Sequence, residues 1–242
     1  MQKVTSKIDI PGEECACIPR VNYDEKDYFI HHKNKYLKVQ EIITSLNPKK
    51  ILDIGVGTGA FYSVLPEKEK YEIHGLEIVP EFIPLLEKKG IHAKICDINV
   101  SRFPYEDNSF DLILCDSILE HTLAPKHLIT EMARVLQPGG AVILITPNAT
   151  SVRRRWDFLR CRNQFAPLID NLYRLSYLQR CAVFYSLEEL NFIMPKNVEV
   201  KRIDFIDEIS HDPHTLPIRC LRMVSFLTPR FRDVVLVVAQ KS

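Results

Sequence analysis

The sequence lacks a surplus of either charge, and it lacks a long apolar run. Its 32 basic and 31 acidic residues give a formal net charge of +1, so no overall field favours nucleic acid as a partner. No apolar run approaches the roughly 20 residues that a membrane-spanning helix needs. The first residues also lack the apolar core of a signal peptide. These absences predict a cytoplasmic protein and leave its oligomeric state open.

Cysteine is present without a pattern. The seven cysteines are scattered and odd in number, which does not indicate a disulfide framework. Cys15 and Cys17 form a lone C-x-C pair with no second cluster at zinc-ligand spacing. Cys96 and Cys115 fall inside apolar runs, where a buried thiol is the simpler interpretation. We therefore predict no metal site.

Short apolar runs alternate with amphipathic segments from residue 32 to Pro147, and two further apolar runs follow near the end of the chain. Near-continuous apolar strands between helices are typical of a parallel sheet that is covered on both faces. A helix is expected at 32–46, another from 59 to 65, and further ones at 80–89, 124–136 and 186–194. The predicted strands are 50–54, 72–77, 93–97, 110–115, 141–146, 198–205 and 233–240.

Glycine is scarce, yet three of the eight glycines lie together at Gly55, Gly57 and Gly59, directly after the first strand. Glycine permits a tight turn and lets a ligand approach bare backbone. The pattern Gly55-x-Gly57-x-x-Ala60, with Glu77 further on, also fits a loose dinucleotide fingerprint. The loop alone therefore indicates an adenosine-type nucleotide and leaves its class open.

Carboxylates follow four successive strands, at Asp53, Glu77, Asp97 and Asp116. Because the carboxyl ends of parallel strands share one edge, we expect these acids to lie together where ligands bind. Each of them could instead cap a helix. Four carboxylates would repel a pyrophosphate, but they suit a ligand that carries a sulfonium and an ammonium.

Five stretches together resemble the class I S-adenosylmethionine (SAM)-dependent methyltransferases, specifically the methyltransferase type 11 group. They are ILDIGVGTG (51–59), GLEIVPEFI (75–83), KICDI (94–98), FDLILCDSILEH (110–121) and RVLQPGGAVILITPN (134–148). The resemblance implies a Rossmann-like α/β fold with a seven-stranded sheet of order 3-2-1-4-5-7-6, whose last strand is antiparallel. It also implies SAM as the methyl donor.

The resemblance assigns expected roles to matching residues. Asp53 and the backbone of Gly55 and Gly57, with Gly59 in the same loop, would hold the methionyl end of SAM. Glu77, followed by Ile78, would take the ribose hydroxyls. The adenine would lie beside Asp97 and Ile98, and Asp116 and Ser117 would line the cofactor edge.

We expect four segments: an N-terminal helical cover (1–48), a cofactor-binding core (49–148), a helical lid or acceptor insertion (149–197) and C-terminal strands of the same sheet (198–242).

Between Ala149 and Cys181 there are seven arginines and two aspartates, with no lysine or glutamate. Arginine suits phosphate and carboxylate partners. Arg153, Arg154 and Arg155 are therefore candidates for binding an anionic or lipid-like acceptor, or a membrane surface. A solvated basic face or a dimer contact would also explain them.

His121 is the candidate general base, because it follows the fourth strand and histidine titrates near neutral pH. A structural histidine that shapes the pocket is the alternative. Two other functions remain open for the chain: a nucleotide-dependent oxidoreductase, and a non-catalytic cofactor-binding protein with a regulatory or membrane-associated role.

Overall fold

A computed structural model describes residues 25–152, 155, 159, 185–207, 228, 230 and 232–242. Its described helices are α1 (Glu25–Leu46), α2 (Ile83–Lys88), α3 (Pro125–Val135) and α4 (Leu187–Ile193). Single 3-10 turns occur at Phe61–Ser63, Lys68–Lys70, Pro80–Phe82 and Leu119–His121. None of these described helices is long and apolar enough to cross a membrane.

Seven strands form one sheet. They are β1 (Lys50–Ile54), β2 (Glu72–Glu77), β3 (His92–Ile95), β4 (Phe110–Asp116), β5 (Leu136–Pro147), β6 (Val198–Ile206) and β7 (Val234–Lys241). Their order is β3-β2-β1-β4-β5-β7-β6. The first five strands pair in parallel, and β7 is antiparallel to both β5 and β6. The predicted fold class and strand order are confirmed.

Two apolar layers lie on opposite faces of the sheet, because successive side chains of a strand point to opposite sides. On β1, Ile51 joins the cluster that α1 and α2 cover, whereas its neighbour Leu52 joins the cluster that α3 and α4 cover. Strands buried on both faces must be apolar throughout. This double burial explains the near-continuous apolar runs of the sequence.

The helix expected at 59–65 was wrong in extent, since the chain forms only the 3-10 turn Phe61–Ser63. Pro66 disfavours helical geometry at Leu65, so the turn cannot continue. The strand β5 also starts earlier than expected. Leu136 already pairs with Phe110, and the register then shifts. The Pro-Gly-Gly segment 138–140 therefore interrupts the strand pairing.

A capping box is present at the start of α4, where Glu189 follows Ser186 by three residues. The Ser186 side chain accepts a hydrogen bond from the Glu189 N–H, and the Glu189 carboxylate accepts one from the Ser186 N–H. Two of the unpaired N–H groups at this helix start are thereby satisfied.

Candidate functional site

The glycine-rich loop after β1 turns sharply at three left-handed positions, Gly55, Gly57 and Gly59, with φ of 70°, 57° and 69°. Side chains are strained in this conformation, so glycine is required there. At Gly55 a Cβ would also lie 2.1 Å from Cδ1 of Ile118. The loop thus presents bare backbone at the carboxyl edge of the sheet.

Glu77, the last residue of β2, fixes the loop to the neighbouring strand. Its Oε2 accepts a hydrogen bond from the Gly57 N–H at 2.8 Å. Its Oε1 accepts from the N–H groups of Ile78 and Val79 at 2.8 and 3.0 Å. Each carboxylate oxygen has two lone pairs, so Oε1 is fully used and Oε2 retains acceptor capacity for one further donor, such as a hydroxyl group.

Asp53 lies in β1 just before the loop and is 6% exposed. Burial raises its pKa well above the usual range, and the charges of Asp116 and Glu77 add to this rise, whereas Tyr62 opposes it. The three carboxyls are therefore close enough to interact. The negative charges of these carboxyl groups would stabilise a cationic ligand bound between them.

Asp116 ends β4, and Ser117 follows it in a left-handed conformation with φ of 58°. The Ser117 N–H donates to the Ile145 carbonyl at 2.9 Å, and its hydroxyl donates to Asp116 Oδ1 at 2.9 Å. The Lys35 ammonium of α1 lies 3.0 Å from each oxygen of the same carboxylate. The sequence reasoning missed Lys35 because a lysine in a helix is ordinarily a surface residue.

The next 3-10 turn contains Glu120 and the candidate base His121. Glu120 is 1% exposed and accepts a hydrogen bond from the Thr146 hydroxyl at 3.1 Å. The pKa of Glu120 is raised to about 7, chiefly by burial and also by the charge of Asp116, against the opposing effects of the Thr146 hydrogen bond and of Lys35. His121 is half-buried beside it. The structure thus places Glu120, whose pKa lies near neutral pH, next to the candidate base His121 in the turn that follows β4.

Asp97 and Ile98 are half-buried and lie just beyond the end of β3. Asp97 Oδ1 accepts from both the backbone and the side-chain amide of Asn99, at 3.0 and 3.1 Å. The Asn99 side-chain oxygen Oδ1 in turn accepts from the Thr122 hydroxyl and the Leu123 N–H, both at 2.8 Å. Asn99 therefore connects the loop after β3 to the segment that follows β4.

The arginine-rich segment lies largely outside the described residues. Arg153 and Arg154 are among those that the structure does not describe. Arg155 is described and exposed, and its Nε donates to the Thr150 carbonyl at 3.0 Å. At the start of this segment, the buried Asn148 amide donates to the carbonyls of Arg230 and Arg232 at 2.9 and 2.8 Å. Asn148 therefore joins the start of the insertion to the segment before β7.

Asp53, Glu77 and Asp116, together with the glycine loop, are thus assembled at one edge, with Asp97 at the end of the neighbouring strand. No cluster of three or more His, Cys, Asp and Glu side chains suited to a metal ion occurs within the part of the chain that the structure describes. A largely parallel sheet whose polar residues gather at the carboxyl ends of its strands defines a Rossmann-like protein of the α/β class.

Comparison with known proteins identifies the family within this class. Residues 52–144 match the family model described as a methyltransferase domain. An uncharacterised protein of Methanocaldococcus jannaschii is 30% identical over 165 residues, which cover 65% of this chain and 72% of that protein. The demethylmenaquinone methyltransferase of Bacillus cereus is 27% identical over 195 residues, covering 73% of this chain and 82% of the relative.

The solved structures agree on the fold. A SAM-dependent methyltransferase of Thermotoga maritima superposes with a TM-score of 0.58 at 20% identity, covering 90% of this chain and 94% of the other.

Several further sequence relatives match over less than half of their own length. The chain belongs to the class I SAM-dependent methyltransferases and is a SAM-dependent enzyme. Its methyltransferase relatives give the oxidoreductase alternative no support.

Proposed function

We propose that the chain transfers the methyl group of SAM to a small-molecule acceptor that is anionic or lipid-like. The main support for a methyl-donor site is the arrangement of two buried carboxyl groups, Asp53 and Glu77, around a loop in which three glycines have positive φ. Such a site fits a ligand with a sulfonium, an ammonium and ribose hydroxyls.

The residues present supply what this chemistry requires. Bound SAM would supply an activated methyl group, to which an acceptor atom would bond as the carbon–sulfur bond breaks. The protein has to align the acceptor and exclude water. Asp53 and Glu77, with Gly55, Gly57 and Gly59, would hold the methionyl and ribose parts. The adenine would lie at Asp97 and Ile98.

A proton acceptor is needed only where the attacking atom is a hydroxyl oxygen or an acidic carbon. His121 is our candidate for that role, since it is half-buried at the carboxyl end of β4. If His121 instead shapes the pocket, its replacement by Asn will lower acceptor turnover without changing the pH profile.

Calorimetric titration of the purified chain with SAM and separately with NADH tests the donor proposal. We expect micromolar binding of SAM and none of NADH. E77Q and D53N should weaken SAM binding at least tenfold, since each removes a charge-assisted contact. E72Q is the matched control, because Glu72 lies at the other end of β2 and is 52% exposed. Binding of NADH alone would refute the proposal.

The acceptor proposal rests on two observations. The segment 149–181 is rich in arginine, and one relative is named a demethylmenaquinone methyltransferase. We propose that 1–48 covers the site, that 149–197 builds the acceptor site or docks on an anionic membrane, and that 198–242 completes the core sheet around 49–148. These roles extend to residues that the structure does not describe.

Charge reversal separates this acceptor proposal from a merely solvated basic face. The variant R153E/R154E/R155E should lose binding to vesicles of anionic phospholipid, or turnover of an anionic acceptor, while SAM affinity stays within twofold. The matched control reverses three exposed lysines elsewhere, in K88E/K126E/K196E. Equal loss in both triple variants, or no loss in either, would contradict a specific role for the arginines.

A further inference from the structure

Lys35 occupies a position in α1 where an apolar residue is expected. It lies four residues before Val39 and eight before Ile43, on the stripe of α1 that also carries Ile42 and packs on the sheet. These three side chains are at most 4% exposed, and Lys35 is 1% exposed. A buried lysine has a high desolvation cost, so its partner must compensate for it.

The partner of this buried cation is Asp116, 81 residues further along the chain. The Lys35 Nζ lies 3.0 Å from Oδ1 and 3.0 Å from Oδ2, so the ammonium contacts both oxygens. The Ser117 hydroxyl donates to Oδ1 as well. The carboxylate is therefore fixed in orientation.

Other contacts hold α1 against the core without this ion pair. The rings of Tyr36 and Phe61 are 5.1 Å apart between centroids, and the Gln40 amide donates to the Val64 carbonyl at 2.6 Å. Both contacts join α1 to the segment that follows the glycine loop. Loss of the Lys35 charge should therefore leave α1 in place, so a helix anchor alone does not explain the lysine.

The charge of Asp116 acts on the rest of the site. It raises the pKa of both Asp53 and Glu120, and Lys35 acts in the opposite direction on Glu120. Without the ammonium, the edge that holds the methyl donor would carry one more uncompensated negative charge.

We propose that Lys35 is a positioning residue for the methyl donor: its ammonium orients the Asp116 carboxylate and cancels its charge beside the sulfonium. The inference rests on the proposed function, which puts Asp116 at the donor-binding edge. The donor SAM carries a sulfonium, whereas the product S-adenosylhomocysteine (SAH) is uncharged at sulfur. The ratio of their dissociation constants therefore reports the charge at this edge.

The test measures SAM and SAH binding by calorimetry at pH 8 in wild type, K35M, D116N and K35M/D116N. K35M leaves a carboxylate uncompensated and should raise the preference for SAM over SAH about tenfold, as expected for one additional unit charge at this edge at an effective dielectric constant of about 20. D116N leaves an ammonium uncompensated and should lower the preference by a similar factor. The double variant should return the ratio to within threefold of wild type.

Two controls distinguish this pattern from a structural effect. K38M removes a half-buried lysine of the same helix, which pairs with Glu41, and should not change the ratio. K35R keeps the charge and should preserve the ratio. Parallel loss of SAM and SAH affinity in K35M and D116N, with an unchanged ratio, would overturn the inference while leaving the donor site intact. Failure of wild type to bind SAM would instead overturn the proposed function. If K35M does not fold, D116N and the double variant carry the same test.

Discussion

Glu120 makes the stability of the fold depend on pH in a direction that is unusual for a carboxylate. Its side chain is buried, and burial raises its pKa from 4.5 to about 7. In the unfolded chain the same group titrates near 4.5, so between these pH values the folded state binds more protons than the unfolded state. The contribution of Glu120 to stability must therefore fall as the pH rises from 4.5 to 7.

The size of the effect follows from the pKa difference. One pKa unit corresponds to about 1.4 kcal/mol, so a rise from 4.5 to about 7 corresponds to about 3 kcal/mol. E120Q keeps an acceptor for the Thr146 hydroxyl and removes the ionisation. The unfolding free energy of E120Q relative to wild type should therefore increase by about 3 kcal/mol between pH 4.5 and pH 8.

Urea denaturation of both proteins at pH 4.5, 5.5, 7 and 8 measures this difference directly. E131Q is a control of opposite sign, because the hydrogen bond from Arg134 lowers the pKa of Glu131. That carboxylate stabilises the fold above its unfolded pKa and loses this contribution as the pH falls. A difference between E120Q and wild type that is the same at every pH would refute the reasoning.

Two further substitutions test the geometry around the site. G55A should destabilise the protein by about 1–3 kcal/mol more than G57A in urea denaturation, because both positions have positive φ but only the Gly55 Cβ would meet Ile118; equal losses would contradict this. N148A should cost about 2–4 kcal/mol, since it leaves two carbonyls without their donor, whereas N197A at an exposed position should stay within about 0.5 kcal/mol; similar values for both would show that the Asn148 contacts contribute little.

The sheet could be predicted from the sequence because its pattern is local. Strands buried on both faces appear as short apolar runs, and the acids that end them mark the carboxyl edge. The strand order came from the resemblance to a family, since periodicity alone does not order strands. The predicted helix at 59–65 failed because the effect of Pro66 on a short segment outweighed helix propensity.

The ion pair at the site could not be predicted in the same way. Lys35 and Asp116 are far apart in sequence, and each has a commonplace interpretation alone, as a surface lysine and as a helix cap. Their pairing depends on how α1 crosses the sheet, which no local pattern encodes. One sequence signal was available: Lys35 interrupts an apolar stripe at the spacing of Val39 and Ile43, and a break in a local pattern often marks a functional position.

The antiparallel insertion of β7 between β5 and β6 has a consequence for the order of folding. β7 pairs with β5 from Ala141↔Gln240 to Pro147↔Val234. Residues almost a hundred positions apart in the sequence must therefore meet before this part of the sheet can form. Contacts of such sequence separation are slow to form. During synthesis, β1 to β5 emerge well before β7. Until β7 pairs with it, the edge of β5 that faces away from β4 has unpaired backbone groups to which another strand could bind. Productive folding therefore depends on this late strand docking before another chain does.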